Sequence, residues 1–249
     1  MEDSVIDRIL GRVPNAPKDA IHSVIFGFGH RARCGKDTVA QMIKLERSKS
    51  PLVFNGYDIR IYSFAQELKR EVNKCAEKSG GMLRLFDDGL RTGGYLQENE
   101  NILALPEWVQ YDPEAPMDDP DCPYGKQRTL LQWWGTEYRR SINPDYWVKQ
   151  VAKRIAEERP EIALITDVRF PNEVAFCQRY GEAIKVERPS LPPLRGMAGA
   201  HASELALLDF QDWDAIIKNK GTLEDLRENA LLTFDSLMSI VPIQRPASV

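Results

Sequence analysis

Cysteine, excess positive charge and long apolar runs are all scarce in this chain of 249 residues. Its four cysteines lie far apart and form no Cys-x-x-Cys pair, so neither a disulfide framework nor a zinc site is expected. A net charge of −4 disfavours general nucleic-acid binding, which needs a basic surface. No apolar run approaches the ~18 residues of a membrane helix, and charged residues interrupt the N-terminal stretch as they would not in a signal peptide. We therefore expect a cytoplasmic protein that binds neither nucleic acid nor membrane.

Strand-like and helix-like segments alternate along the sequence. Apolar or alternating runs predict strands over residues 21–28, 58–64, 161–167, 182–187 and 214–219. Helical patterns follow at 36–47, after residue 64, over 128–140, and from Pro144, Pro171 and Thr222 onward. This order predicts an α/β three-layer sandwich with a parallel central sheet. The segments at about 64–149 and 188–203 interrupt the alternation as an inserted lobe and a short excursion; the acidic stretch 112–121 within the lobe is expected to be a solvated loop.

The loop between the first strand and the first helix has the composition of a phosphate-binding loop. Gly35 and Lys36 stand where the P-loop pattern G-x-x-x-x-G-K-[ST] places its second glycine and its lysine. Glycine lets backbone N–H groups wrap phosphates, and lysine reaches the β and γ oxygens. A solvated turn with a helix cap would also fit the bare pattern. The strand before it and the helix after it favour a phosphate site.

Two positions of this loop depart from the pattern. His30 occupies the place of the first glycine, and Asp37 occupies the place of Ser or Thr, which moves the hydroxyl to Thr38. A carboxylate beside a triphosphate is repulsive unless a cation lies between them, so we expect strong magnesium dependence. Arg31 and Arg33 add positive charge to the loop.

Four sequence blocks, taken together, resemble the phage deoxynucleoside monophosphate kinase family. They are the loop at 31–40, the Arg-Thr-Leu-Leu-Gln and Gly-Thr-Glu motifs within 128–147, Asp-Val-Arg-Phe-Pro-Asn-Glu at 167–173, and the segment from His-Ala-Ser-Glu to Asn-Lys-Gly-Thr at 201–222. The resemblance implies a P-loop NTPase fold and ATP-dependent phosphorylation of deoxynucleoside monophosphates to diphosphates with magnesium. It also suggests a homodimer and, for a phage-encoded chain, the host cytoplasm.

The resemblance further implies one kinase domain over residues 1–249, with an acceptor-binding lobe at about 64–149 and a lid at about 188–203. Two alternatives remain open. The first is a P-loop kinase with another acceptor, such as dephospho-coenzyme A or a ribonucleoside monophosphate. The second is a nucleotide-binding module without kinase activity, which would have no second phosphate to hold.

The expected donor site consists of the loop and of residues that follow the later strands. Asp167 ends the third predicted strand, where open α/β sheets bind ligands, and resembles the carboxylate that orients magnesium through water. Thr38 and Asp37 are the other magnesium candidates, and Lys36, Arg33, Asp167 and Arg188 are the catalytic ones. The resemblance adds Asn219 beside the adenine. The ATP-binding candidates are thus Arg31, Ala32, Arg33, Cys34, Gly35, Lys36, Asp37, Thr38 and Asn219.

The expected acceptor site draws on a polar helical stripe. Arg128, Gln132, Thr136 and Arg140 recur at intervals of four, so one face presents two guanidinium groups, an amide and a hydroxyl. A solvated face is the alternative, and we assign it to the offset Arg139. The resemblance adds Lys69, Glu137 and Arg169, with Arg169 gripping the acceptor phosphate. Trp133, Trp134 and Tyr138 are expected in the core, and His201 at a helix start or fixing the lid.

Overall fold

The structure is a computed structural model, and it describes residues 21–48, 56–78, 107–109, 126–192 and 201–240. Its strands are β1 (Val24–Gly29), β2 (Ile59–Tyr62), β3 (Ile162–Val168), β4 (Gly181–Glu187) and β5 (Ala215–Lys218). Its helices are α1 (Lys36–Arg47), α2 (Phe64–Lys78), α3 (Lys126–Gln132), a π-helix (Trp133–Arg140), α4 (Tyr146–Glu158), α5 (Pro171–Tyr180), α6 (Ala202–Leu205) and α7 (Leu223–Met238). Within these ranges, no helix is both long and apolar enough to cross a membrane.

The chain divides into two compact units. The first comprises the residues up to Phe64 and those from Val148 onward, and the second runs from Ala65 to Trp147. The inserted acceptor lobe and the lid stay predictions about function. Residues 1–20, the acidic stretch 112–121 and part of the expected lid, 193–200, lie outside the described residues.

The first unit is built on a five-stranded sheet in the order β2-β3-β1-β4-β5. Every neighbouring pair is parallel. The carboxyl ends of all five strands therefore meet at one edge of the sheet, which is where ligands bind in open α/β folds. The parallel α/β sandwich predicted from the sequence is confirmed, although β1 begins at Val24, three residues later than predicted.

Helices cover both faces of this sheet. On one face, Phe26 packs with Ile43 of α1 and with Ala230 and Phe234 of α7, and the Phe26 and Phe234 ring centroids lie 5.1 Å apart. On the other face, Gly27 lies directly beneath Cys177 of α5. Strand side chains alternate between the two faces, and Val24, Phe26 and Phe28 of β1 belong to the core cluster formed with α1 and α7.

Two of the predicted helix starts are confirmed and one is not. Pro171 is the first residue of α5, and Thr222 caps α7 with Asp225 in a reciprocal capping box. Helix α4 begins at Tyr146 and not at Pro144, because Asn143 and the residues after it form a turn in which Asn143 Oδ1 accepts from Asp145 N–H at 3.2 Å.

Helical spacing predicts Leu223 on the apolar face of α7 together with Leu226, Ala230 and Phe234, and for Leu223 this prediction is wrong. Leu223 is the first helical residue and is 69% exposed, whereas Leu226, Ala230 and Phe234 are buried. The apolar face that meets the sheet begins one turn further on, at Leu226. Helical periodicity thus predicted which side of α7 is buried, but it did not predict that burial begins at Leu226.

The second unit contains a π-helix where the sequence predicted a continuous α-helix. Residues 133–140 continue directly from α3 with i→i+5 winding. Trp133, Trp134 and Tyr138 are buried, with Trp133 stacked on Tyr138 at 5.5 Å between ring centroids, so their placement in the core is confirmed. π-Helical turns occur frequently at functional sites, which makes this segment notable.

The expectation that Arg139 is solvated was wrong. Its side chain is 7% exposed, and its Nε donates to Glu71 Oε1 at 2.6 Å. Glu71 also accepts from Trp134 Nε1 at 2.7 Å and from Tyr146 OH at 2.5 Å. A buried guanidinium is tolerated when a carboxylate neutralises it and hydrogen bonds satisfy both groups. Glu71 lies about 70 residues away in sequence, so helical spacing alone could not identify the pair.

Gly27 generates a prediction about the packing of α5 on the sheet. A Cβ added at this position would lie 2.3 Å from Cys177 Sγ and 2.8 Å from Cys177 Cβ. We expect Gly27→Ala to lower the free energy of unfolding by about 1–3 kcal/mol, the usual range for overpacking a core. Urea denaturation of Gly27→Ala, Cys177→Ala and the double variant provides the measurement. When Cys177 Sγ is removed, Gly27→Ala should lower the free energy of unfolding by less. Strictly additive effects of the two substitutions on that free energy would contradict this packing.

Candidate functional site

The loop between β1 and α1 is tightly curled. Three of its residues have positive φ: His30 at 100°, Arg33 at 61° and Gly35 at 106°. Gly35 is required there on two grounds, because its φ is left-handed and an added Cβ would lie 2.8 Å from Asn219 Nδ2. Successive N–H groups in such turns form concave nests that bind anions. The local geometry therefore suits an anion such as phosphate.

Lys36 lies inside this curl at the first position of α1. It is only 5% exposed, and its Nζ donates to the backbone carbonyls of Arg31 at 2.6 Å and His30 at 3.4 Å. Cys34 Sγ lies 3.6 Å from the same ammonium. The loop thus supplies its own carbonyls as partners for the buried cation.

Burial and neighbouring charges both change the pKa of Lys36. Burial lowers the pKa of its ammonium, and the nearby Arg169 guanidinium lowers it further, whereas Asp37 and Asp167 oppose the shift. Two cations therefore converge at the carboxyl edge of the sheet. An arrangement of this kind favours a polyanionic ligand, whose charge would offset both burial and repulsion.

His30 stands where a phosphate loop ordinarily has glycine. Its φ of 100° is unfavourable for a residue with a side chain. Partial burial and the nearby Lys185 and Lys36 lower its pKa to about 4, so the imidazole is neutral at pH 7. Its buried Nδ1 has no hydrogen-bond partner within the described residues. The ring is therefore a neutral neighbour of the loop and adds no positive charge to it.

Asp37 and Thr38 lie on the exposed side of the first turn of α1, and Arg33 is exposed in the loop before it. A carboxylate and a hydroxyl at this position fit a magnesium ion that keeps several waters and takes its remaining ligands from phosphates. Within the described ranges, no group of three or more His, Cys, Asp and Glu side chains could enclose a metal.

Asp167 lies near the end of β3, and both of its oxygens accept hydrogen bonds. Oδ1 accepts from Phe64 N–H and Oδ2 from Ser63 Oγ, each at 2.8 Å. It does not cap α5, whose N-cap is Phe170, and its bonds to Ser63 and Phe64, just after β2, were not predicted from the sequence. These two bonds fix the orientation of the Asp167 carboxylate at the end of β3.

Arg169 is held at its backbone and at its side chain by two different glutamates. Glu173 Oε2 accepts from Arg169 N–H at 2.7 Å and from Phe170 N–H at 3.1 Å. Arg169 Nη1 donates to Glu204 Oε1 at 2.6 Å, and Glu204 Oε2 accepts from Ala32 N–H in the phosphate loop at 3.3 Å. Both glutamates belong to motifs noted in the sequence, yet neither was given a role.

The end of β5 also reaches the loop. Asn219 Nδ2 donates to the carbonyl of Cys34 at 3.0 Å, and Asn219 N–H donates to the carbonyl of Glu187 at 2.8 Å. The side chain of Asn219, which was expected to lie beside the adenine, thus holds the backbone of the loop through a hydrogen bond. Arg188 follows β4 and is exposed.

His201 caps the short helix α6, with Nδ1 3.2 Å from the Ser203 N–H. Its expected place at a helix start is confirmed. A histidine engaged in this way holds the local backbone of the segment that carries Glu204.

The other acceptor candidates belong to the second unit. Lys69 lies on α2, and Arg128 lies on α3, with its side chain outside the described residues. Thr136, Glu137 and Arg140 are partly buried on the π-helix. The Nε2 of Gln132 is buried and has no hydrogen-bond partner in the described part of the chain. A buried donor without a partner is costly, which suggests that a ligand completes it.

Comparisons with known proteins agree with the sequence motifs. Residues 126–230 match the family described as deoxynucleotide monophosphate kinase. A deoxynucleoside-5'-monophosphate kinase of Escherichia phage T5 is 45% identical over 47 residues, a match that spans 18% of this chain and 19% of that protein. The chain thus spans about a fifth of the length of this curated relative.

Two solved structures are similar over most of the chain but at low identity. A Thermus thermophilus protein is 15% identical with a TM-score of 0.45, covering 89% of this chain and 100% of that one. Dephospho-CoA kinase from Campylobacter jejuni is 14% identical with a TM-score of 0.42, covering 87% and 98%.

Three of the four sequence blocks behind the predicted resemblance fall within residues 126–230, and the phosphate loop lies before them. The family match therefore does not include that loop, whose curled backbone belongs to the first unit. The resemblance predicted from the sequence is confirmed: from residue 126 to residue 230, this chain matches the deoxynucleotide monophosphate kinase family.

Proposed function

We propose that this protein transfers the γ-phosphoryl group of ATP to deoxynucleoside 5'-monophosphates, giving diphosphates for deoxynucleoside triphosphate synthesis. The observation that carries the proposal is the buried Lys36 ammonium, which lies in a left-handed glycine loop with the Arg169 guanidinium as a charged neighbour. The family match over residues 126–230 supports a nucleotide kinase, and the motifs within it favour a monophosphate acceptor.

In this proposal the ATP phosphates bind along residues 31–38, and Asn219 supports the loop beneath them. Thr38 and Asp37 would hold magnesium, with Asp167 acting through water. Bound magnesium would neutralise charge on the β- and γ-phosphates. The exposed positions of Thr38 and Asp37 support this assignment, because both side chains are open to a ligand.

Catalysis in this proposal is positioning and charge neutralisation. Lys36 reaches the transferring group, and Arg33 and Arg188, both exposed, would add positive charge as that group moves. No strong general base is needed, because the acceptor phosphate oxygen is already anionic. The absence of a serine or cysteine triad among the sequence motifs is therefore no objection.

Acceptor binding is assigned to a larger set of polar residues. Arg169 would hold the acceptor phosphate through a guanidinium fork, which matches phosphate geometry better than lysine does. The unpartnered Nε2 of Gln132 is the strongest support from the second unit, because it is a buried donor that lacks an acceptor. The full set is Lys69, Arg128, Gln132, Thr136, Glu137, Arg140 and Arg169.

The proposal extends to the setting of the enzyme. We expect a cytoplasmic protein, in the host cytoplasm if the chain is phage-encoded, that uses small-molecule substrates and binds neither nucleic acid nor membrane. We also expect a homodimer, which sedimentation would test.

An ADP-release assay with a panel of acceptors tests the proposed function. We expect ATP- and magnesium-dependent turnover of one or more deoxynucleoside monophosphates and little turnover without an acceptor. Turnover of dephospho-coenzyme A or of ribonucleoside monophosphates alone would reassign the acceptor while leaving the kinase class intact. ATP hydrolysis that no acceptor stimulates would contradict a kinase.

Lys36 should be indispensable for turnover. We expect Lys36→Ala to fold and to lose at least about 10³-fold in kcat, because the transferring phosphoryl group loses its positioned charge. Lys44→Ala, on the same helix but away from its N-terminus, is the matched control and should stay close to the parent. Near-normal kcat in folded Lys36→Ala would remove the phosphate loop from the mechanism.

Asp37 should make ATP binding dependent on magnesium. In EDTA we expect Asp37→Ser to bind ATP about fivefold more tightly than the parent, the effect of removing roughly 1 kcal/mol of repulsion between exposed charges. The difference should shrink when magnesium is restored. Titration calorimetry of both proteins is the measurement. Equal ATP affinities in EDTA would show that Asp37 points away from the triphosphate.

Gln132 should act on the acceptor and not on ATP. We expect Gln132→Met, which keeps much of the volume but removes the amide, to lower kcat/KM for the acceptor by about 10-fold, the effect of one lost hydrogen bond of about 1.4 kcal/mol. The affinity for ATP measured without acceptor should be unchanged. Gln41→Met, on the exposed side of α1, is the matched control. Loss of ATP affinity in Gln132→Met would place this amide in the donor site.

A further inference from the structure

Glu204 connects two parts of the candidate site. Its Oε1 lies 2.6 Å from Arg169 Nη1, and its Oε2 lies 3.3 Å from the N–H of Ala32. Arg169 follows β3, and Ala32 belongs to the loop after β1, so one carboxylate links the ends of two neighbouring strands. The first contact is short and charge-assisted, whereas the second is near the limit of a hydrogen bond.

The two members of the ion pair differ in exposure. The Glu204 side chain is 8% exposed, and the Arg169 side chain is 23% exposed. The carboxylate therefore lies on the buried side of the pair, and the guanidinium lies on the accessible side. Arg169 makes no other side-chain hydrogen bond within the described residues, so Nε and Nη2 of its fork remain available.

Charge explains why a carboxylate is useful at this position. Arg169 is close enough to Lys36 to disfavour its protonated form. Two cations that approach each other in a partly buried site need a neighbouring anion, and Glu204 provides one to Arg169 before any nucleotide binds. Because Glu204 contacts one of the two terminal nitrogens, it can fix the plane of the guanidinium and still leave donors for a phosphate.

We propose that Glu204 is a positioning residue of the kinase reaction, which holds the Arg169 guanidinium in register with the phosphate loop so that its free donors receive the acceptor phosphate. The inference rests on the proposed function, and it extends that function to a residue of the α6 segment. Glu204 acts through Arg169, and its effect therefore requires Arg169 to be present. It does not compete with phosphate for the site.

A double-mutant cycle tests this dependence. The variants are Glu204→Gln, which keeps the shape and removes the charge, Arg169→Met, and the two combined. Kinetics with the best acceptor monophosphate at saturating ATP should show kcat/KM about 10- to 100-fold lower in Glu204→Gln, which lies within the range of coupling energies for directly paired groups. The double variant should be no worse than Arg169→Met alone. The matched control is Glu224→Gln, an exposed glutamate that pairs with Arg227 on α7.

Two kinetic results would overturn the proposal. If Glu204→Gln lowers kcat/KM equally with and without Arg169, its role is structural and independent of Arg169. If Glu204→Gln binds ATP more tightly than the parent in the absence of acceptor, Glu204 is an internal competitor of phosphate. We expect Glu204→Gln to bind ATP as tightly as the parent does and to have a lower kcat/KM for the acceptor.

A second measurement does not depend on turnover. In protein labelled with ¹⁵N-arginine, the Nε–H resonance of Arg169, identified by its loss in Arg169→Met, should shift or exchange faster with water in Glu204→Gln and stay unchanged in Glu224→Gln. An unchanged resonance in Glu204→Gln would overturn the proposal. If the parent phosphorylates no monophosphate, the proposed function fails, and the same variants are compared for binding of inorganic phosphate. If Glu204→Gln lowers the affinity for inorganic phosphate equally with and without Arg169, the positioning role is overturned. If it lowers that affinity only when Arg169 is present, the role is supported.

Discussion

Burial of the Lys36 ammonium is the constraint on which the first unit depends. An ammonium removed from water must be surrounded by oxygen atoms or neutralised, and the loop meets this need by turning the carbonyls of Arg31 and His30 toward Nζ. That inward turn requires left-handed backbone, which is present at His30 and Gly35. The strained loop and the buried cation thus require each other. A bound triphosphate would offer Lys36 stronger partners than these carbonyls.

The parallel sheet gives this loop its neighbours. Because all five strands run the same way, the segments after β1, β3 and β5 emerge at one edge, and each contributes a polar side chain. Arg169 follows β3 and pairs with Glu204. Asn219 follows β5 and donates to the carbonyl of Cys34. Positive charge is concentrated where the backbone amides are also concentrated. The same convergence explains why one carboxylate can influence both the loop and an arginine far away in sequence.

The second unit shows how a polar network can lie inside an aromatic core. Trp134, Arg139 and Tyr146 all donate to Glu71, so three donors share one partly buried carboxylate. Such a network is stable only when each member is satisfied, which limits the sequences that the unit can accept. Gln132, at the junction with the π-helix, has a buried amide nitrogen without a partner in the described residues. This buried donor is what marks Gln132 as a ligand-binding candidate.

Local pattern was enough to predict the order of strands and helices, the glycine-containing turn before α1 and the starts of α5 and α7. These features depend on periodicity, glycine, proline and capping, which act over a few neighbouring residues. Only the tertiary structure paired Arg139 with Glu71, bonded Asp167 to Ser63, and brought Glu204 to Arg169 and the loop. Those partners are 68, 104 and 35 residues apart, and Glu204 is 172 residues from Ala32. A charged side chain in the sequence looks the same whether it is solvated or buried, because its state is decided by which distant segment the fold places against it.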